Sequence, residues 1–102
     1  MKVKESKEIL EIYFEGEMDH YQIALWRDEC IKAIETSHAP KVIFDFKDVI
    51  FIDSTGIGFV LGRYKVLSKE HREIILRNCT SCVHRLFEMS GLFTLMKVEY
   101  DE

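Results

Sequence analysis

At 102 residues the chain has the usual length of one domain, enough for a single hydrophobic core but not for a second lobe. Its residues are 47% hydrophobic and 31% charged, a balance typical of globular proteins rather than of disordered chains. The formal net charge of −4 opposes binding to nucleic-acid phosphates and to anionic membranes, so we expect neither as a direct partner.

The first third of the chain predicts two strands and a helix. Ile9–Phe14 is rich in β-branched and aromatic residues, and Val3 is placed in a short edge strand before it. Asp19 is well suited to N-cap a helix, and Gln22 three residues later completes a capping box. We therefore predict a helix from about His20 to Thr36. The residues that follow its period are Ile23, Arg27, Cys30, Ile31 and Ile34.

The middle of the chain predicts a strand, a further extended run and a second helix. Pro40 ends the first helical region, Val42–Phe46 is a strand, and Val49–Ile52 is again extended and apolar. From Ile57 to about Glu70 the apolar residues return to helical spacing. The other face of this helix carries the basic residues Arg63, Lys65, Lys69 and Arg72. Such a basic stripe is typical of a solvated face.

The last third predicts a strand, a short helix and a closing strand. Glu73–Leu76 is the strand, and Val83–Phe87 lies in a helix that ends at Ser90-Gly91, where glycine suits a left-handed C-cap. Leu95–Tyr100 is the closing strand. Because strands and helices alternate, we predict one α/β domain over residues 1–102, with a small mixed, mostly parallel sheet covered by helices.

The start of the chain and the cysteines both indicate a cytoplasmic protein. Met1–Lys4 is charged but is not followed by the apolar segment of a signal peptide, and no apolar run approaches a membrane span. Cys30, Cys79 and Cys82 are odd in number, so we expect free thiols. No second ligand pair completes a zinc site. The Cys79-x-x-Cys82 spacing near a predicted helix start leaves a dithiol redox role as an open alternative.

The most informative segment is Phe51–Gly58, which passes from an apolar strand through two hydroxyl residues into a glycine-rich helix start. In α/β folds such turns lie at the carboxyl ends of the strands, where ligands and partners bind. Asp53 or Ser54 can cap the helix, a contribution of ~1 kcal/mol. Gly56 and Gly58 each cost up to ~1 kcal/mol relative to alanine inside a helix, so we expect some group to approach this backbone closely.

Nucleotide binding and catalysis fit this segment less well. A dinucleotide fingerprint needs glycine where Leu61 stands, and the Lys-Ser/Thr end of a P-loop is missing. Asp53–Gly56 is one residue too long for an aspartic protease motif and has no second copy. Ile52 stands where a nucleophile elbow needs glycine, and the four histidines show no ligand spacing. We therefore expect no enzyme activity, no cofactor and no metal.

Phosphorylation of Ser54 is the remaining chemistry. A phosphate at a helix N-terminus gains ~0.3–1 kcal/mol from unpaired N–H groups and the helix dipole, and neighbouring Asp53 opposes it. These contributions partly cancel, so the fold should survive modification. The surface, however, gains about 1.5 to 2 negative charges where a partner docks. Against apolar or acidic partner surface this costs ~100-fold or more in affinity. The segment predicts a protein-binding module that phosphate on Ser54 switches.

Three blocks of the sequence resemble the bacterial anti-anti-sigma factors of the STAS family. They are Gly16–His20, Phe51–Lys65 and Arg85–Phe93, and they stand in the family's order and spacing across nearly the whole chain. Within the family, the chain is most similar to the anti-sigma F factor antagonists of sporulation. The resemblance implies a STAS-like domain, a small mixed sheet with helices, in agreement with the predicted elements.

The resemblance also implies a partner and a regulatory cycle. The unphosphorylated protein would bind an anti-sigma factor that is also an ATP-dependent serine kinase and so free the sigma factor for transcription. The kinase would phosphorylate Ser54 and dissociate, and a dedicated serine phosphatase would restore binding. The implied partner-binding residues are Asp19, Asp53, Thr55, Gly56 and Ile57. We expect a monomer when the protein is free.

Two questions stay open at this point. Thr55 stands where the family usually has a second serine, so two adjacent hydroxyls are available, with position favouring Ser54. Stress-response relatives share the motif, so the sigma factor that is released is not decided. A STAS module that binds a nucleotide or another small ligand is the alternative function.

Overall fold

The computed structural model describes residues 1–101 and contains a five-stranded sheet with three α-helices. The strands are β1 (Lys2–Glu5), β2 (Ile9–Met18), β3 (Lys41–Ile52), β4 (Glu73–Arg77) and β5 (Lys97–Glu99). The helices are α1 (His20–Thr36), α2 (Ser54–Lys69) and α3 (Ser81–Met89), with a 3₁₀ turn at Leu92–Thr94. Within residues 1–101, no helix combines the length and hydropathy needed to cross a bilayer.

The predicted elements are present, with four differences in their bounds. Strand β2 runs to Met18, four residues beyond the predicted end at Phe14. The two extended runs before Asp53 form one continuous strand, β3. Helix α2 starts at Ser54 rather than Ile57, because its first turn is held by a cap and not by apolar contacts. Strand β5 is shorter than predicted, since the 3₁₀ turn occupies the residues before it. The predicted left-handed C-cap is confirmed at Gly91, which has a φ of 78°.

The strands lie in the order β1-β2-β3-β4-β5, with β1 antiparallel to β2 and the remaining pairs parallel. The predicted mostly parallel sheet is therefore confirmed. Each parallel strand is added on the same side of the one before it. Because such crossovers are right-handed, all three helices cover the same face of the sheet. Their buried residues accordingly belong to one cluster with alternate residues of β2, β3 and β4.

Aromatic rings fix the helix starts on this face. The Phe14 ring centroid on β2 lies 5.2 Å from that of Phe44 and 5.6 Å from that of Phe46, both on β3. Trp26 of α1 and Phe59 of α2 contact the same ring at 5.7 and 6.5 Å. Both helix residues lie in the second turn, so the N-terminal ends of α1 and α2 are anchored side by side over β2 and β3.

A polar network lies on the other face of the sheet, which we call the sheet-face network: Glu11, Tyr13, Asp45 and Arg77. Arg77 donates to Asp45 Oδ2 at 2.8 Å, to Glu11 Oε2 at 2.8 Å and to the Tyr13 hydroxyl at 3.0 Å. Burial opposes the charge of Arg77, but these hydrogen bonds outweigh it and raise its pKa. Hydrogen bonds from Tyr13 and then Arg77 lower the pKa of Glu11. The network thus joins β2, β3 and β4 where no helix covers them.

The predicted basic stripe on α2 is only partly correct. Lys65 and Lys69 are exposed, but Arg63 is half-buried with its guanidinium over the Phe59 ring at 5.3 Å. Arg72 lies beyond the end of α2. It donates to the Ala39 carbonyl at 2.9 Å and to the Ile34 carbonyl at 3.0 Å. The expectation of a solvated face is wrong for these two arginines, because Arg63 packs on an aromatic ring and Arg72 hydrogen-bonds to backbone carbonyls.

Candidate functional site

Two helix starts lie next to each other at one edge of the sheet. Strand β2 ends at Met18 and β3 ends at Ile52, and these two residues are paired in register. The chain then enters α1 after Asp19 and α2 after Asp53. The Asp53 N–H donates to the Met18 carbonyl at 3.3 Å, which ties the two loops together. The predicted position at the carboxyl ends of the strands is confirmed.

The Asp53 carboxylate bonds to both helix starts. Its Oδ1 accepts hydrogen bonds from the N–H of Thr55 at 2.9 Å and of Gly56 at 3.1 Å, which caps α2. Its Oδ2 accepts from the N–H of His20, the first residue of α1, at 3.2 Å. Of the two proposed caps, Asp53 and Ser54, the structure uses Asp53. Because one side chain satisfies donors on both helices, the two loops form a single unit.

Asp19 caps α1 as predicted. Its Oδ1 accepts from the Gln22 N–H at 2.9 Å, and its backbone is extended, as an N-cap requires. The side chain is half-buried, and its Oδ2 makes no hydrogen bond to the part of the chain that the structure describes. One oxygen of this carboxylate is therefore used for capping, and the other remains available to a partner.

Ser54 is the first residue of α2, and its side chain is exposed. Among the described residues, its hydroxyl has no hydrogen-bond partner, and the same is true of the exposed Thr55 beside it. In the first turn of α2, the N–H groups of Thr55 and Gly56 already donate to Asp53. The expected gain of a phosphate from unpaired donors is therefore smaller than predicted, whereas the expected repulsion from Asp53 stands.

The two glycines of the first turns have different environments. A Cβ on Gly56 would lie 2.7 Å from the Met18 carbonyl oxygen and 2.6 Å from Ile52 Cγ1. The predicted close approach is confirmed here, but the approaching group is the chain's own backbone. A Cβ on Gly58 would meet no described atom within 4 Å.

The predicted site residues divide into a surface set and a packed set. Ser54 and Thr55 are exposed at the edge of the sheet, with the carboxylates of Asp19 and Asp53 half-buried beside them. Gly56 is buried beneath this edge, and Ile57 is half-buried against the core. A docking partner could contact the first four directly, whereas Gly56 acts by allowing the two loops to approach.

Four exposed apolar side chains near this edge were not predicted from the sequence. Tyr21 and Leu25 on α1 are 70% and 64% exposed. Ile50 and Phe51 on β3 are 71% and 45% exposed. The sequence does carry a signal for the first pair, because both residues fall outside the helical stripe that contains the buried Ile23.

The cysteines do not form a reactive pair. Cys30 and Cys79 are buried, whereas Cys82 is exposed, and all three are free thiols as predicted. Burial raises the pKa of both the Cys30 and the Cys79 thiol to about 12. A redox dithiol needs readily formed thiolates, so the burial of Cys79 argues against that role for Cys79 and Cys82.

Comparison with known proteins gives a family and named relatives. The STAS domain family model matches residues 1–102. The chain is 32% identical over 101 residues to the anti-sigma F factor antagonist of Paenibacillus polymyxa, covering 99% of this chain and 86% of the relative. It is 27% identical over 96 residues to the anti-sigma-B factor antagonist of Bacillus subtilis (strain 168), covering 94% of this chain and 86% of the relative.

Solved structures similar to this one include a relative in two states. The anti-sigma factor antagonist SpoIIAA in its unphosphorylated form is 31% identical with a TM-score of 0.81, covering 95% of this chain and 85% of that one. The Bacillus cell fate determinant SpoIIAA in the phosphorylated form is 30% identical with a TM-score of 0.74, covering 95% and 88%.

Proposed function

The chain belongs to the STAS domain family, and from this premise we propose that it is an anti-sigma factor antagonist controlled by phosphate on Ser54. The unphosphorylated form binds an anti-sigma factor that is also a serine kinase, and this frees the sigma factor. Phosphorylation of Ser54 ends the binding, and a serine phosphatase restores it. The observation that carries the proposal is the exposed, unbonded Ser54 hydroxyl at the edge where two helix starts meet.

Access to the hydroxyl supports phosphorylation by a docked kinase. Ser54 is exposed at the first position of α2, so a kinase reaches its oxygen without opening the core. Thr55 is exposed as well, but it lies one residue further into the helix. Its N–H is also bonded to Asp53, which holds this part of the turn in place. Both features favour Ser54 as the acceptor.

The charge around Ser54 supports a switch that works by repulsion. A phosphate adds about 1.5 to 2 negative charges beside the carboxylates of Asp53 and Asp19. The nearby N–H groups of Thr55 and Gly56 are already engaged and cannot compensate this charge. A partner surface complementary to the unmodified edge would then face an uncompensated anion, which lowers affinity by ~100-fold or more.

Asp19 supports the same binding edge. Because capping uses only Oδ1, the second oxygen can accept a hydrogen bond from a basic residue of the partner. Ile57 and the exposed Gly58 continue the edge along α2. Together these residues give a surface that binds when Ser54 is unmodified, and the protein acts through binding rather than catalysis.

The test is phosphorylation by the cognate anti-sigma factor kinase with ATP, followed by mass mapping of the modified residue. We expect one phosphate, on Ser54, and Thr55→Ala should still carry that phosphate on Ser54. Ser54→Ala should bind the kinase and resist modification, whereas Ser54→Asp should bind ~100-fold more weakly. Modification of Thr55, or tight binding by Ser54→Asp, would contradict the proposal.

The identity of the partner is tested by comparing two kinases. The likeness to anti-sigma F factor antagonists favours a kinase of the sporulation class. Binding should be tighter to an anti-sigma F kinase than to an anti-sigma-B kinase, measured side by side by calorimetry. The reverse order would assign the protein to stress response. A large thermal shift of the free protein with nucleotide, and no binding to either kinase, would instead favour a ligand-binding module.

A further inference from the structure

Helix α1 carries an apolar surface that no described residue covers. Tyr21 and Leu25 lie four residues apart, so their side chains are neighbours on successive turns. They are 70% and 64% exposed and lie on the side of the helix away from the buried Ile23 and Cys30. Single exposed apolar residues are ordinary, but two large ones on adjacent turns form a continuous patch. We call this pair the α1 stripe.

The α1 stripe is continuous with the edge that contains Ser54. Tyr21 stands two residues after Asp19, in the first turn of α1. That turn is bonded to the α2 start through the His20 N–H and Asp53 Oδ2 at 3.2 Å. Leu25 lies about 6 Å further along the helix axis, at about 1.5 Å per residue. A protein that covers Ser54 therefore also reaches the α1 stripe.

Phe51, of the second exposed apolar pair, lies behind this edge. It is paired in register with Glu17, and the next residues on both strands, Ile52 and Met18, are buried in the core. Because side chains alternate along a strand, Phe51 points to the sheet face without helices. Ser54 instead begins a helix on the covered face, in the same layer as α1. The α1 stripe is thus on the side of Ser54, whereas Phe51 is not.

We propose that the α1 stripe is the apolar part of the surface that docks the anti-sigma factor kinase, and that it supplies binding energy that phosphate does not change. This inference rests on the proposed function. Exposed charged residues follow Leu25 at helical spacings of three, four and seven residues, namely Asp28, Glu29 and Lys32, so carboxylates outnumber the ammonium group there, and the net charge of the chain is −4. The partner therefore presents an apolar hollow with a basic rim. Tyrosine is one of the residue types enriched among the few that dominate an interface.

The test measures binding of the purified kinase to Tyr21→Ser, Leu25→Ser and the double variant by calorimetry. We expect each single substitution to raise Kd ~10-fold and the double substitution ~100-fold, which corresponds to about 2.7 kcal/mol in all. The matched control is Met89→Ser on α3, a residue that is 74% exposed, and it should bind within about twofold of wild type. Thermal stability should not change, since none of these side chains is buried.

Combination with the phosphate mimic gives the sharper result. If the stripe acts independently of the phosphate, Leu25→Ser should weaken binding by the same factor in the wild type and in Ser54→Asp. If the wild-type protein binds the kinase and both stripe variants bind it equally well, this inference is overturned but the proposed function is not. If Phe51→Ser loses kinase binding while the stripe variants bind normally, the inference is also overturned, and the kinase docks on the sheet face without helices. Wild-type protein that binds no anti-sigma factor would overturn the proposed function and this inference together.

Discussion

Replacement of Gly56 by alanine tests how closely the two loops of the site must approach. The added Cβ would lie 2.7 Å from the Met18 carbonyl oxygen. Ordinary carbon–oxygen contacts are no shorter than about 3.3 Å, so the overlap is about 0.6 Å. The Ile52 side chain, 2.6 Å from the same Cβ, can rotate away, but the carbonyl cannot. It is part of the backbone and accepts the hydrogen bond from Asp53 N–H.

The expected magnitude follows from two opposing effects. Overpacking of this kind costs about 1–3 kcal/mol. Alanine in place of glycine inside a helix returns up to ~1 kcal/mol. Because the overlap is with backbone that cannot move aside, the overpacking cost lies at the upper end of its range, about 2–3 kcal/mol. After the return of ~1 kcal/mol we expect Gly56→Ala to lower the free energy of unfolding by about 1–2 kcal/mol. For a domain of this size that corresponds to a fall in Tm of roughly 4–16 °C.

Gly58→Ala and Gly62→Ala are matched controls on the same helix. A Cβ at either position would meet no described atom within 4 Å, so only the gain in helix propensity remains. Both controls should be as stable as wild type or up to ~1 kcal/mol more stable. The assay is urea unfolding followed by circular dichroism, with comparison of the midpoints. If Gly56→Ala were as stable as the controls, the loops would not be held at the distance described here.

Three further predictions concern other parts of the molecule. Iodoacetamide at pH 8 should label only Cys82 in the native protein, because Cys30 and Cys79 are buried and their pKa of about 12 keeps both thiols almost fully protonated. Two or more labels found by mass mapping would contradict this. The pKa of Glu11 is lowered in the folded state, so its contribution to stability is fully present above about pH 4.5 and is lost as the pH falls through the lowered pKa. Glu11→Gln should therefore show a smaller loss of stability in acid when unfolding curves are measured at several pH values. Asp19→Asn should have a free energy of unfolding within about 0.5 kcal/mol of wild type, yet it should bind the kinase more weakly. An unchanged Kd would leave capping as the only role of Asp19.

Much of the fold was predictable because local chemistry and tertiary packing agree. Helix α1 has its predicted bounds, since Asp19 provides a cap and the apolar residues keep a helical period over the whole segment. The start of α2 was displaced, because Ser54 to Gly56 carry no apolar period and are held by the Asp53 carboxylate. Hydrophobic periodicity alone cannot locate a helix start whose first residues are polar.

The positions of the candidate site residues at two helix starts were predictable, but their connections were not. The sequence indicates Asp19 as one cap and Asp53 or Ser54 as the other, yet the hydrogen bond that Asp53 accepts from the His20 N–H joins residues 33 positions apart. The approach of Met18 to Gly56 depends likewise on the pairing of β2 with β3. Arg72 is a similar case, since its acceptors lie at the end of α1. Such contacts follow from strand register, which no local pattern in the sequence contains.

The hold of Asp53 on both helix starts has a kinetic consequence. Loops that are already ordered lose little conformational entropy when a partner arrives, so association requires no rearrangement of this chain. The rate of complex formation is then governed by diffusion and by attraction between an acidic edge and a basic partner. That rate should fall as ionic strength rises and shortens the range of the attraction, while the dissociation rate changes much less.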